Sequence, residues 1–84
     1  MQKVYQYIDD HREEYLALLQ KFLRQPSIST ANVGMREMAD LLKDTLADMG
    51  FKVEELPTDG YPIIYGELPG DGDKTLMFYN HYDV

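Results

Sequence analysis

Cysteine is absent from this chain of 84 residues, and basic residues are few. Without cysteine there is neither a disulfide to compensate for a small core nor a thiolate to bind a metal or attack a substrate. Eight lysines and arginines stand against 15 aspartates and glutamates, which gives a net charge of −7. That balance argues against nucleic acid as a partner, because phosphates attract a basic face, and against anionic membrane surfaces. Its simplest consequence is solubility.

Long apolar runs are missing as well. The N-terminus contains no continuous apolar segment of the kind that a signal peptide requires, and no stretch reaches the length of a transmembrane helix. We therefore expect a cytoplasmic protein. A chain of 84 residues is enough for one small domain at most.

Helical periodicity dominates the first half of the chain and predicts helices over residues 3–24 and 33–49. The apolar stripes are Val4, Ile8, Tyr15, Leu19 and Phe22 in the first helix, and Met35, Met38, Leu42, Leu46 and Met49 in the second. Pro26 marks the end of the first helix, and Gly50 is suited to cap the second. A methionine-rich stripe serves either as core or as an adaptable binding face, and core is its commoner role.

Strand patterns follow in the second half. Residues 51–56, 63–68 and 75–79 read as strands, separated by turn-rich segments. The last segment is apolar on both faces, which predicts a central strand covered on both sides, and the tight turn before it predicts an antiparallel return. We thus expect an α/β fold of two helices and then three strands. A central strand needs neighbours on both edges, so the chain reads as an unfinished part of a larger domain.

The candidate site is the tripeptide His81-Tyr82-Asp83, directly after the third predicted strand. Residues two apart in an extended chain point to the same side, so His81 and Asp83 can act together. One imidazole nitrogen would bind a metal while the other donates its proton to the carboxylate. The spacing alone is weak evidence, since a hydrogen bond at a strand end without a metal fits the same residues.

Other candidates carry less chemistry. His11 lies among charged residues on the first helix and reads as a solvated face residue. Asp71 and Asp73 lack the further ligands of a calcium loop, and the nearby glycines have the wrong spacing for a phosphate loop. Ser27 and Ser29 have no base nearby in the sequence and read as loop or capping residues.

Beyond these residues, the run from Thr75 to Val84 closely resembles the first metal motif of a family of zinc exopeptidases. That family includes carnosine-type dipeptidases, aminoacylases, acetylornithine deacetylases, succinyl-diaminopimelate desuccinylases and glutamate carboxypeptidases. The likeness covers nearly the whole chain but only a small N-terminal part of a family chain. Its other matching segments are residues 22–29, 50–51 and 61–67.

The resemblance implies roles for two residues. His81 would ligate one of two zinc ions, and Asp83, counted in the family among the catalytic residues, would orient that histidine. Cobalt or manganese are possible substitutes for zinc. Many members have glycine before the histidine where this chain has Asn80, which we interpret as variation between branches. The substrate would be a dipeptide or an N-acyl amino acid, and the intact protein would form a homodimer.

The family's other expected site residues are a metal-bridging aspartate, two adjacent glutamates, a further acidic ligand and a distant histidine. In the family's pattern these residues follow the first metal motif, so none of them falls within residues 1–84. We therefore interpret residues 1–84 as the N-terminal part of a catalytic domain, inactive alone. Two alternatives stay open: a non-catalytic module in which His-Tyr-Asp is only a structural hydrogen bond, and a fragment that binds its missing remainder.

Overall fold

The first helical region is two helices rather than one. A computed structural model describes all 84 residues and has helix α1 over Gln2–Asp10 and helix α2 over Arg12–Arg24. The predicted continuous helix over residues 3–24 is therefore wrong at His11, whose φ of −109° and ψ of 12° leave the helical region. The Nδ1 atom of His11 lies 2.8 Å from the Tyr7 carbonyl oxygen, which the His11 amide also uses at 3.1 Å. A side chain that competes with the backbone for a carbonyl weakens a helix at that point.

The ends of α2 follow local rules. Glu13 and Glu14 lie in its first turn and Lys21 and Arg24 in its last turn, which suits the helix dipole. The helix ends where Gln25 turns extended, with ψ of 116°, immediately before Pro26. The predicted end of the helix is thus confirmed.

A short loop joins α2 to helix α3, which spans Met35–Asp48. The loop contains a 3₁₀ turn over Ser29–Ala31. Gly34 begins α3 with φ of +71°, and a Cβ atom there would lie 1.9 Å from the Pro26 carbonyl oxygen. Only glycine satisfies both the left-handed backbone and this close approach. At the other end Gly50 has φ of +95°, as the predicted cap requires.

Two strands form an antiparallel sheet, β1 over Lys52–Leu56 and β2 over Ile63–Glu67. Val53 pairs with Gly66 in this register. Helix α3 packs closely on the sheet at Gly66, where a Cβ atom would lie only 3.2 Å from Leu46 Cδ1. The mixed α/β class predicted from the sequence is confirmed.

The small core lies on α3. Its buried apolar side chains are Met35, Met38 and Ala39. Two residues of the methionine-rich stripe are therefore core, as the commoner interpretation holds, whereas Met49 is 54% exposed. The apolar stripe of α1 and α2 is not buried, and its member Leu19 is 54% exposed. None of the three α-helices combines the length and the apolar character that crossing a bilayer requires.

The third predicted strand does not form. Residues 75–79 pair with no strand, and Leu76, Met77, Phe78 and Tyr79 are each at least 78% exposed. The expected antiparallel return onto β2 is therefore wrong. A segment that is apolar on both faces gains from a strand position only when both faces are covered. In this chain α3 packs on the sheet, and neither face of the segment 75–79 is covered.

Candidate metal-ligand site

The tripeptide at residues 81–83 is fixed although no strand precedes it. The Tyr82 hydroxyl donates a hydrogen bond to the Pro62 carbonyl oxygen at 2.6 Å. The Val84 backbone amide donates to the Ser27 carbonyl oxygen at 2.8 Å. These two contacts attach the residues on either side of Asp83 to two different loops, so the backbone position of Asp83 is determined from both sides.

Asp83 receives hydrogen bonds on both carboxylate oxygens. The Ser29 hydroxyl donates to Oδ2 at 2.8 Å, and the Nδ1 atom of His81 lies 3.2 Å from Oδ1. The Ser29 bond, and after it the His81 bond, lowers the pKa of Asp83 below its ordinary value, so this carboxyl group is ionised at neutral pH. An ionised carboxylate can only accept hydrogen bonds. Nδ1 of His81 therefore carries the proton of this hydrogen bond, which makes Nε2 the unprotonated nitrogen of a neutral ring.

His81 and Asp83 differ in exposure. The His81 side chain is 71% exposed, while that of Asp83 is 34% exposed. Besides Asp83, the imidazole approaches the Tyr79 ring edge-on, with the ring centroids 5.6 Å apart. The free nitrogen of an exposed ring, held by a carboxylate on its other side, is the arrangement that metal-binding histidines use.

Ser29 is placed by the turn to which it belongs. The turn is closed by two backbone hydrogen bonds between Ile28 and Val33, at 2.8 and 3.1 Å. The Tyr61 hydroxyl donates to the Ser29 carbonyl oxygen at 2.8 Å and lies 3.1 Å from Oδ1 of Asn32. Asn32 adopts a left-handed conformation with φ of 51°, which asparagine tolerates better than most residues. The turn is therefore fixed by contacts within itself and with the connection that precedes β2.

An apolar cleft of about 710 Å³ runs beside this arrangement. Its walls come from the end of α2, the loop after it, α3, β2 and the last residues of the chain. Members of the wall include Phe22, Ile28, Met38, Ile64, His81 and Asp83. The volume is in the range of small-molecule sites, and His81 is one of the residues that line it.

The residues present fit one position of a metal site and not a complete one. No three His, Cys, Asp or Glu side chains come together as potential metal ligands. A catalytic zinc site usually takes three protein ligands. His81 can supply one of them through Nε2, with Asp83 as its carboxylate partner.

The structure brings together the two site residues that the sequence singled out, and adds Ser29. Ser29 lies 54 positions from Asp83 along the chain, so no spacing rule connects them. His11 lies elsewhere: its ring stacks on Tyr7 with centroids 4.0 Å apart, and its Nδ1 bonds within the helix. Asp71 and Asp73 are exposed on a turn and make no hydrogen bond or ion pair.

Comparisons with known proteins identify relatives along the whole chain. A Cys-Gly metallodipeptidase of Schizosaccharomyces pombe is 32% identical over all of this chain, which spans 21% of that protein. A Beta-Ala-His dipeptidase of Homo sapiens is 33% identical, again over the whole chain and 20% of the relative. A Cys-Gly metallodipeptidase of Candida albicans is 30% identical with similar coverage. No family model matches the chain, and no solved structure matches it significantly.

The chain spans about a fifth of the length of these curated relatives. Its similarity to them extends from end to end, and their names agree with the resemblance carried by residues 75–84. This chain is therefore homologous, along its whole length, to one segment of the metallodipeptidases.

Proposed function

We propose that this chain is the N-terminal part of the catalytic domain of a zinc-dependent dipeptidase, and that His81 is one of its metal ligands. The observation that carries the proposal is the contact between His81 Nδ1 and Asp83 Oδ1, at 3.2 Å. In a neutral ring this contact makes Nε2 the unprotonated nitrogen, and the ring is exposed. Further ligands and the general base would come from outside these 84 residues.

In this proposal the two residues have separate tasks. His81 binds the metal through Nε2, and Asp83 keeps the ring in the required tautomer and makes the ligand more basic. The metal is zinc, for which imidazole is a common ligand, with cobalt or manganese as possible substitutes. Bound zinc supplies Lewis-acid polarisation of a scissile carbonyl and activates water for attack.

The substrate class is a dipeptide or an N-acyl amino acid. Support comes from the relatives, whose names specify Cys-Gly and Beta-Ala-His dipeptides. The net charge of −7 supports the inference that nucleic acid and anionic membranes are not partners. We further infer a homodimer for the intact protein, as the resemblance implies, and a cytoplasmic location, as the sequence patterns predict.

The experiment is a zinc titration of the ¹⁵N-labelled chain, followed through the imidazole nitrogens. His11 is the internal control, since its Nδ1 is also hydrogen-bonded, to a neutral carbonyl oxygen rather than to a carboxylate. We expect zinc to shift the Nε2 signal of His81 at lower concentration than that of His11. Equal responses from the two rings, or none from His81, would contradict the proposal and favour a purely structural role for His-Tyr-Asp.

A further inference from the structure

Ser29 has no part in the function proposed above, yet its side chain makes the shortest hydrogen bond to Asp83, at 2.8 Å. We propose that Ser29 is a positioning residue for the metal-ligating histidine, acting through Asp83. The inference rests on the proposed function of His81 and extends it to a residue in a different loop.

The two oxygens of the Asp83 carboxylate have separate hydrogen-bond donors. Ser29 uses Oδ2 and His81 uses Oδ1, so each oxygen of Asp83 has its own donor. A carboxylate with one donor can rotate about its last side-chain bond, whereas donors on both oxygens fix its plane. The orientation of Oδ1 toward the ring therefore depends on the bond at Oδ2.

The His81 side chain has few contacts of its own. Its side chain is 71% exposed, and Asp83 is its only hydrogen-bonding partner. Its other neighbour is the edge of the Tyr79 ring, which is itself 81% exposed and so gives the imidazole little support. Whatever fixes Asp83 consequently fixes the imidazole, and the loss of that support frees both.

The Ser29 hydroxyl, which is the donor to Asp83, is held by a well-fixed turn. The Ser29 hydroxyl projects from a turn that is closed by the paired backbones of Ile28 and Val33. Tyr61 holds the Ser29 carbonyl oxygen at 2.8 Å. The turn thus presents the hydroxyl from a fixed base, as a supporting residue for a metal ligand requires.

The neighbouring Thr30 provides a matched comparison. It belongs to the same 3₁₀ turn, its side chain is exposed, and its hydroxyl makes no hydrogen bond. Thr30→Ala changes a side chain of the same turn without touching Asp83. Only the change at Ser29 breaks the connection to Asp83.

The test records the imidazole ¹⁵N pattern of the chain at about pH 8, where histidine side chains are ordinarily neutral. We expect His81 to be chiefly the Nδ1–H tautomer in the unchanged chain. Ser29→Ala makes that tautomer a minority form. Ser29→Thr, which retains a hydroxyl, restores it, and Thr30→Ala leaves it unchanged. The His11 pattern stays constant throughout, because its partner is the Tyr7 carbonyl oxygen.

Backbone amide signals of Met35–Asp48 report whether each variant retains α3. If Ser29→Ala loses them, Ser29→Cys takes its place, since a thiol has the connectivity of the hydroxyl but is only a weak donor. The inference is overturned if folded Ser29→Ala shows the same His81 pattern as the unsubstituted chain. It is also overturned if His81 in the unsubstituted chain shows no preference for one tautomer. An equal change at His11 overturns it as well. Zinc then separates the two proposals. If the tautomer of His81 depends on Ser29 but zinc does not shift the His81 signals, the metal role is refuted and the positioning role stands.

Discussion

Ser29 and Asp83 are joined by a 2.8 Å hydrogen bond across 54 positions of the chain. The bond connects the loop after α2 with the tripeptide that carries His81. Two further bonds, from Tyr82 to Pro62 and from Val84 to Ser27, hold the same segment. The geometry of the candidate ligand therefore depends on two loops that lie far away in sequence.

The loop after α2 depends on Gly34, and we predict that Gly34→Ala is the most destabilising glycine substitution in the chain. A Cβ atom there meets the Pro26 carbonyl oxygen at 1.9 Å in addition to the strain of φ +71°. Backbone strain of that kind costs about 1–3 kcal/mol by itself, and the clash adds to it.

Two other glycines are the controls for Gly34→Ala. At Gly50 the backbone φ is +95° but a Cβ atom would meet open space, and at Gly70 the space is open and φ is not positive. Urea unfolding followed by circular dichroism should rank the losses of unfolding free energy as Gly34, then Gly50, then Gly70, with the last within about 0.5 kcal/mol of zero. Equal effects at Gly34 and Gly70 would contradict the close approach to Pro26.

The ion pairs between α3 and β1 predict a stability change at acidic pH. Arg36 contacts Glu55 with its two terminal guanidinium nitrogens, and Lys43 Nζ lies 2.9 Å from Oε1 of the same carboxylate. These contacts, Arg36 first, lower the pKa of Glu55 to about 2. A lowered pKa stabilises the fold above the unfolded value, which is about 4.5, and the stabilisation is lost as pH falls toward the folded value.

Glu55→Gln should therefore flatten the stability profile between pH 4.5 and 2, and the difference from the unchanged chain should shrink in high salt. Glu54→Gln, the adjacent strand position without an ion pair, is the control and should leave the slope in place. The measurement is thermal unfolding across that pH window at two salt concentrations. Identical slopes in Glu55→Gln and the unchanged chain would refute the role of the ion pairs.

The exposed segment 75–79 predicts self-association of the isolated chain. Met77 is 83% exposed and Phe78 is 78% exposed, in an unpaired extended segment of the type that pairs with other chains. Met77→Lys should shift the chain toward monomer in size-exclusion chromatography. Gly70→Lys adds the same charge on an open turn and should not. A chain that is already monomeric, with strong amide protection through residues 75–79, would contradict this prediction.

Local features of the fold were predictable from the sequence, and nonlocal ones were not. Pro26 and Gly50 mark helix ends because their effects act on adjacent residues. The failure at residues 75–79 is nonlocal: apolar composition predicts a buried strand, but pairing depends on partners elsewhere. The break at His11 arises from one side-chain bond to Tyr7 that periodicity does not encode.

The candidate site divides in the same way. His81 and Asp83 were predictable as a pair, because a two-residue spacing is local and the surrounding run resembles a metal motif. The sequence indicates only a loop or capping residue at Ser29, since its partner lies 54 positions away. The one available signal was its place within residues 22–29, another segment of the same resemblance, which carries no information on what the hydroxyl contacts.

The isolated chain should have no dipeptidase activity. His81 is a single candidate ligand, and no group of three potential metal-binding side chains exists in the structure. Catalytic zinc sites usually need three protein ligands. The measurement is a dipeptide hydrolysis assay with zinc, manganese or cobalt added to the purified chain. Turnover that persists through repeated purification would show that a complete site forms by another route.

The central claim, that His81 is a metal ligand and Asp83 its support, is tested most directly by metal stoichiometry. The protein to use carries this segment within a complete metallodipeptidase domain, with His11→Ala as the control. Elemental analysis beside turnover should show His81→Ala losing zinc and activity together. Asp83→Asn should retain most of the metal while activity falls about 10- to 100-fold, because an amide holds the ring without supplying negative charge. Full zinc occupancy with normal turnover in His81→Ala would contradict the account.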